Sequence, residues 1–118
     1  MSGPSYRDLV AWQRAVDLVE QIYRATAYWP REEMYGLINQ IRRAAVSIPA
    51  NIAEGQGRGS RKEFAHHLAI AYGSLCEVET HLIVAERLGF MSAGGRDELL
   101  SQTTSVARPL HGLIQSLQ

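Results

Sequence analysis

The chain has 118 residues, 46% hydrophobic and 20% charged, and its twelve basic side chains are balanced by twelve acidic ones. That size and composition fit one globular domain spanning the chain, with only residues 1–6 expected to be flexible, and zero net charge removes any bulk attraction to nucleic acid. The single cysteine, Cys76, excludes an internal disulfide; with no apolar signal core and no unbroken apolar run of membrane-spanning length, the expectation is a cytoplasmic protein.

The first helix is predicted from Arg7 or Asp8 to Ala27. Leu9, Trp12, Val16, Val19, Tyr23 and Thr26 recur at spacings of three and four and are its expected core stripe. Tyr28-Trp29-Pro30 ends it, because the residue before a proline is pushed out of the α region. The second helix is predicted from Pro30 to Glu54, with Met34, Leu37, Ile38, Ile41, Ala45, Ile48 and Ile52 inward. At about 100° per residue, Val46, Ala50 and Ala53 form a second apolar strip beside that stripe. Pro49 cannot donate to the carbonyl of Ala45, which predicts a bend, with Ser47 or a neighbouring group compensating the lost bond.

Gly55 to Gly59 reads as the next connection, and Ser60 with Glu63 as a capping box. The third helix is predicted from Arg61 to Leu88, with Phe64, Leu68, Ala71, Leu75, Val78, Leu82 and Ala85 inward. Ala65, Ala69, Gly73, Cys76 and Thr80 form a small-residue strip away from that face, and Gly89 suits the position just past the helix. Phe90 to Gly95 reads as a turn with Ser92 as N-cap. The fourth helix then carries Leu99, Thr103, Val106, Leu110, Leu113 and Leu117 inward to the end, and Pro109 predicts a kink or a break near Ser105. No strand alternation appears. Four amphipathic helices joined by short connections predict an all-α, antiparallel up-down four-helix bundle.

Charge is unevenly placed. Arg42 to Lys62 holds five basic residues and one acidic, whereas Glu77 to Glu98 holds two basic and five acidic. Between Gly36 and Ala53 the second helix carries only Arg42 and Arg43. A bundle of this size buries one stripe per helix, so Val46, Ala50 and Ala53, together with Ala65, Ala69 and Gly73, are the expected oligomer interface.

Chemistry is sparse. Glu63-x-x-His66, with His67 adjacent, resembles half of a carboxylate-bridged metal motif, but such bundles use that motif on two helices with further inward glutamates. Here it occurs once, and the histidines read as solvated. Glu77, Glu79 and His81 read as a polar face. Ser74 lies outside any nucleophile elbow, and the glutamates after Cys76 argue against an activated thiol. No catalytic residue, metal or cofactor is assigned, and the chain is not expected to be an enzyme. The stretch Gly55-Gln56-Gly57-Arg58-Gly59-Ser60-Arg61-Lys62 is not a Walker A loop. It does open a helix, whose amides and dipole attract anions, and Arg58, Arg61 and Lys62 stand in or beside it, a reasonable seat for backbone phosphates. Arg43 lies opposite the core stripe and should face solvent. Arg42 lies on its flank and should pair with Glu54 or a neighbouring subunit's acid.

These motifs resemble the four-helix-bundle proteins encoded in intervening sequences of bacterial large-subunit ribosomal RNA genes. The matching residues are Leu9-x-x-Trp12-x-x-Ala15, Pro30 with Glu33-x-Tyr35-Gly36-Leu37, Gln40-x-Arg42-Arg43-Ala44-Ala45-x-Ser47-Ile48-x-Ala50-Asn51-Ile52-Ala53-Glu54-Gly55, Arg58-x-Ser60 and Ala71-x-Gly73-Ser74-x-x-Glu77. The resemblance spans Tyr6 to Ile114. It implies a small bundle that assembles into ring-shaped pentamers, without known enzymatic activity, and related to the nucleic-acid-binding accessory protein of diversity-generating retroelements. The expected function is therefore a non-catalytic, oligomeric nucleic-acid-binding protein, RNA-directed, with Arg42, Arg43, Arg58, Arg61 and Lys62 on phosphates. The rival is a scaffold for a partner protein such as a reverse transcriptase.

Overall fold

Four α-helices follow the apolar periodicity: α1 (Val10–Thr26), α2 (Leu37–Gly57), α3 (Arg61–Arg87) and α4 (Ala93–Ser116), with single 3₁₀ turns at Tyr6–Asp8 and Arg31–Glu33. The structure is a computed structural model and describes residues 5–118. Among those residues there is no strand. Each helix packs on its two neighbours in the order α1, α2, α3, α4 and back to α1, and the diagonal pairs do not meet. Short connections make sequential neighbours antiparallel, so this is the predicted up-down bundle. Leu18, Ile22, Ile38, Ile41, Ile48, Ile52, Leu68, Leu75, Leu82 and Leu110 are fully buried along its axis. Each such side chain contributes about 1.5–3 kcal/mol by leaving water.

The helix ends are where local chemistry put them. Ser60 Oγ accepts from the Glu63 amide, and Ser92 Oγ from the Gly95 amide, each at 3.0 Å. Gly89 sits at φ +80°, and the Phe90 amide reaches back to the Ala85 carbonyl at 2.9 Å, closing α3 with a Schellman turn. Phe90 then meets the buried Trp29 ring of the α1–α2 connection at 6.2 Å. Of the residues expected to be flexible, 1–4 lie outside the described residues. Ser5 and Tyr6 are engaged: Ser5 caps the first turn, and the Tyr6 ring packs edge-on against Trp12 at 5.3 Å.

Several expectations need correction. The stripe that α1 buries is Ala11, Ala15, Leu18, Ile22 and Thr26. Of the predicted stripe only Thr26 is buried; Leu9, Trp12 and Val19 are half-buried, while Val16 and Tyr23 are 39% and 43% exposed. α1 has two apolar stripes, and the one with small residues at Ala11 and Ala15 faces the core. α2 begins at Leu37, after a 3₁₀ turn, where Glu33 Oε1 accepts from the Leu37 amide at 3.1 Å. Met34 therefore lies ahead of the helix, 44% exposed rather than in the core. At its other end α2 runs through Gly57, so the connection to α3 is only Arg58-Gly59-Ser60, with Gly59 at φ +76°. Pro49 is buried within a continuous α2, and Ser47 accepts from Asn51 and Ser74. α4 runs unbroken through Pro109, so there is no break near Ser105. By length and composition α3 is apolar enough to cross a membrane, yet only 33% of that window is buried in the chain. Its charged residues, Arg61, Lys62, Glu63, Glu77, Glu79, Glu86 and Arg87, all lie off the buried stripe.

Candidate nucleic-acid interface

The site is built on the seam between α2 and α3. Ser47, Asn51 and Gly55 recur every four residues along one flank of α2, so they face the same neighbour. Ser74 donates to Ser47 Oγ at 2.9 Å. The Asn51 amide nitrogen donates to the Ser47 carbonyl at 2.9 Å and hydroxyl at 3.0 Å, which leaves its Oδ1 to accept from His67 Nδ1 at 2.9 Å. His67 is thus buried and bonded, not solvated as expected, while His66 is exposed beside it. Gly55 allows this approach. A Cβ there would stand 2.6 Å from His67 Cβ and 3.2 Å from Phe64 Cδ1.

The five basic residues do not form one patch. Arg43 and Arg58 are fifteen residues apart, about 22 Å along α2. Arg42 is turned to α1: its Nε donates to Thr26 Oγ1 at 2.8 Å and its guanidinium lies over the Tyr23 ring at 4.5 Å. It holds the end of α1, and its expected partner Glu54 pairs with Arg58 instead, at 2.7 Å. Arg58 holds the Glu54 carboxyl below its usual range, and His67, 4.0 Å from the same oxygen, adds to the effect. Arg61 donates to the Ser116 carbonyl at 3.0 Å and so closes the end of α4. Arg43 and Lys62 are exposed with no partner among the described residues.

Val46, Ala50, Ala65, Ala69 and Gly73 are exposed and Ala53 is half-buried, as an uncovered second surface requires. They lie on two faces rather than one. Val46, Ala50 and Ala53 follow Arg42 at helical spacing, and Arg42 reaches Thr26 and Tyr23, so these three lie on the flank of α2 toward α1, whereas the other strip is on α3. Above the seam, between these faces, lies an open groove of about 400 Å³ lined by Asn39, Gln40, Arg43, Ser47, Ser74 and Glu77. Sequence reasoning missed this groove and the Asn51–His67 bond. The four-residue recurrence of polar and small residues beside the core stripe was the available signal. Among the described residues, no three His, Cys, Asp or Glu side chains converge as a metal ligand set. The acidic segment is largely spent within the fold, with Glu79 accepting from the buried Thr103 hydroxyl at 2.6 Å and Glu86 paired with Arg96 at 2.8 Å.

The architecture has a relative of known structure. A protein of unknown function from the S23 ribosomal protein family of Bacteroides thetaiotaomicron VPI-5482 superposes with a TM-score of 0.79 over 89% of this chain and 98% of that one, at 23% identity. No curated protein matches. The model of the family described as 23S rRNA-intervening sequence protein matches residues 7–112, nearly the whole chain. The chain belongs to the 23S rRNA-intervening sequence protein family.

Proposed function

We propose that this chain is a non-catalytic, oligomeric, cytoplasmic nucleic-acid-binding protein, directed at RNA. The observation that carries the reading is the outward surface of α2 and α3, where Arg43 and Lys62 stand exposed without partners among the described residues. Arg58 and Arg61 add to it. An exposed ion pair between residues i and i+4 is worth only about 0.3–0.5 kcal/mol, so a phosphate can take Arg58 from Glu54. Arg42 drops out of the expected contact set because it secures α1.

Assembly follows from the same surface. The bulky stripe of Trp12, Val16, Tyr23 and Val46 and the small strip of Ala65, Ala69 and Gly73 are different faces. Contact between unlike faces is head-to-tail and closes into a ring where the rotation permits. A ring of five, kinship with the retroelement accessory proteins and the preference for RNA come from the family resemblance. A second reading, a scaffold for a different polypeptide, is favoured by the same apolar stripe on α1.

The test is a salt titration of binding to a generic oligonucleotide, with wild type beside the triple variant Arg58→Ala, Arg61→Ala, Lys62→Ala. Each phosphate contact contributes a log–log slope of about −0.9 on duplex or −0.7 on single strands. The triple variant is expected to bind more weakly with a flatter slope, and with base preference unchanged, since phosphate contacts position rather than specify. Equal affinities and slopes would favour the scaffold. Sedimentation of a nuclease-treated sample tests assembly, and a monomer at micromolar concentration would end that part of the proposal.

A further inference from the structure

We infer that the groove between α2 and α3 holds one unpaired nucleotide, its phosphate on Arg43 and the donor edge of a guanine on Glu77. The inference rests on the nucleic-acid reading above and adds base recognition to it. Arg43 comes from α2 and Glu77 from α3, and both line the same groove without an ion pair between them. A track for phosphates alone would exclude a carboxylate, which repels them. The groove therefore suits a ligand that brings an anion and a set of N–H donors together, as a nucleotide does.

Glu77 accepts from His81 Nε2 at 3.2 Å through Oε2, which leaves Oε1 open. A carboxylate with open acceptor sites is best matched by two adjacent donors. Guanine presents N1–H and the N2 amino group side by side, whereas adenine and cytosine offer only an amino group there and uracil a single N–H. In a duplex that edge is consumed by pairing, so the groove selects an unpaired base. The side-chain amides of Asn39 and Gln40 line the groove with no partner among the described residues, and each can donate to the guanine acceptors. Tyr35, in the turn that leads into α2, is 94% exposed. Its ring is open for a neighbouring base to stack on.

The experiment measures binding of the full chain to short labelled oligouridines, unmodified or with one central guanosine or adenosine. The guanosine strand is expected to bind about tenfold tighter than the adenosine strand, the low end of what a good bidentate contact discriminates. Glu77→Gln should bring the strands to equal affinity without weakening the all-uridine strand. Arg43→Ala should weaken all three alike and flatten the salt slope by about 0.7. Tyr35→Ala should weaken all three about fivefold or more. Helical content by circular dichroism checks that each variant is folded. Wild type binding all strands equally would overturn the guanine site and leave the nucleic-acid reading standing. A preference that survives Glu77→Gln would also overturn it, by moving base recognition elsewhere in the chain. Wild type binding none of the strands would overturn both.

Discussion

The two apolar stripes of α1 have nearly the same periodicity and opposite fates. Leu18 and Ile22, with Ala11 and Ala15, disappear into the core, whereas Val16 and Tyr23 remain substantially in water, with Trp12 and Val19 between these extremes. Helical spacing identifies faces that avoid water, but it does not say whose core they join. The inner stripe wins because two alanines let α1 approach its neighbours closely, and close packing gains dispersion contacts that a bulkier face would hold apart. The outer stripe is left as surface continuous with Val46 and Ala50 of α2. That surplus is the surface on which the proposed assembly rests.

Leu18→Ala tests the inner stripe and carries the largest effect. Its side chain is fully buried, so a loss of about 2–5 kcal/mol is expected in chemical denaturation, with the assembly of the surviving folded chain unchanged. The matching change on the outer stripe, Val16→Glu with Val46→Glu, should do the reverse. Both positions are exposed in the single chain, so its stability should change by no more than about 0.5 kcal/mol per site. Assembly seen by sedimentation should fall apart. Should the double variant unfold instead, the outer stripe belongs to this chain's own core.

The same contrast recurs on a smaller scale at two glycines. Gly55 and Gly57 are both in the last turns of α2, yet a Cβ at Gly55 would clash with His67 Cβ, whereas one at Gly57 meets nothing within 4 Å. The clashing atom sits next to the backbone of α3, so α3 itself must shift. Gly55→Ala is expected to cost about 1–3 kcal/mol. Gly57→Ala should stabilise by about 0.4–1 kcal/mol, because alanine restricts the unfolded chain at a position with room. Melting temperatures that move in the same direction for both would contradict the close approach of the two helices.

These pairs mark how far the sequence could be read. The number of helices, the caps at Ser60 and Ser92, and the turn at Gly89 are decided by neighbours in the chain, and all were legible there. So were the inward stripes of α3 and α4; on α3 the exposed Ile70, Ile83, Val84 and Leu88 are interrupted by Glu77 and Glu79 and do not compete with it. What failed depended on contacts made across the fold. Nothing near Arg42 in sequence points to Thr26 and the Tyr23 ring on α1. Gly55 and Gly57 look like loop residues until the partner of Gly55 on α3 is known. His67 reads as solvated because its bond to Asn51 lies sixteen residues away. The candidate site shared that limit: its five basic positions were visible, but which of them the fold would occupy was not.

The smallest expected effect separates the tied basic residues from the free ones. Glu54 is bonded to Arg58, which holds its carboxyl below the ordinary value of 4.5, with His67 as a further cause. A carboxyl whose folded value is depressed contributes stability that is fully present above the unfolded value. The contribution is lost as pH falls through the lowered folded value. Glu54→Gln removes that titration while keeping the shape of the side chain. The melting temperatures of wild type and Glu54→Gln should therefore differ by a small constant above pH 4.5 and converge as the pH drops further. High salt should shrink the difference, because both partners are about half exposed and screening acts on exposed charges. A phosphate that displaces Glu54 from Arg58 should act like the substitution. In a saturating oligonucleotide, wild type and Glu54→Gln should show the same pH dependence in this range. If the wild-type difference persists in the bound state, Arg58 stays with Glu54, and Arg43 and Lys62 carry the contact without it.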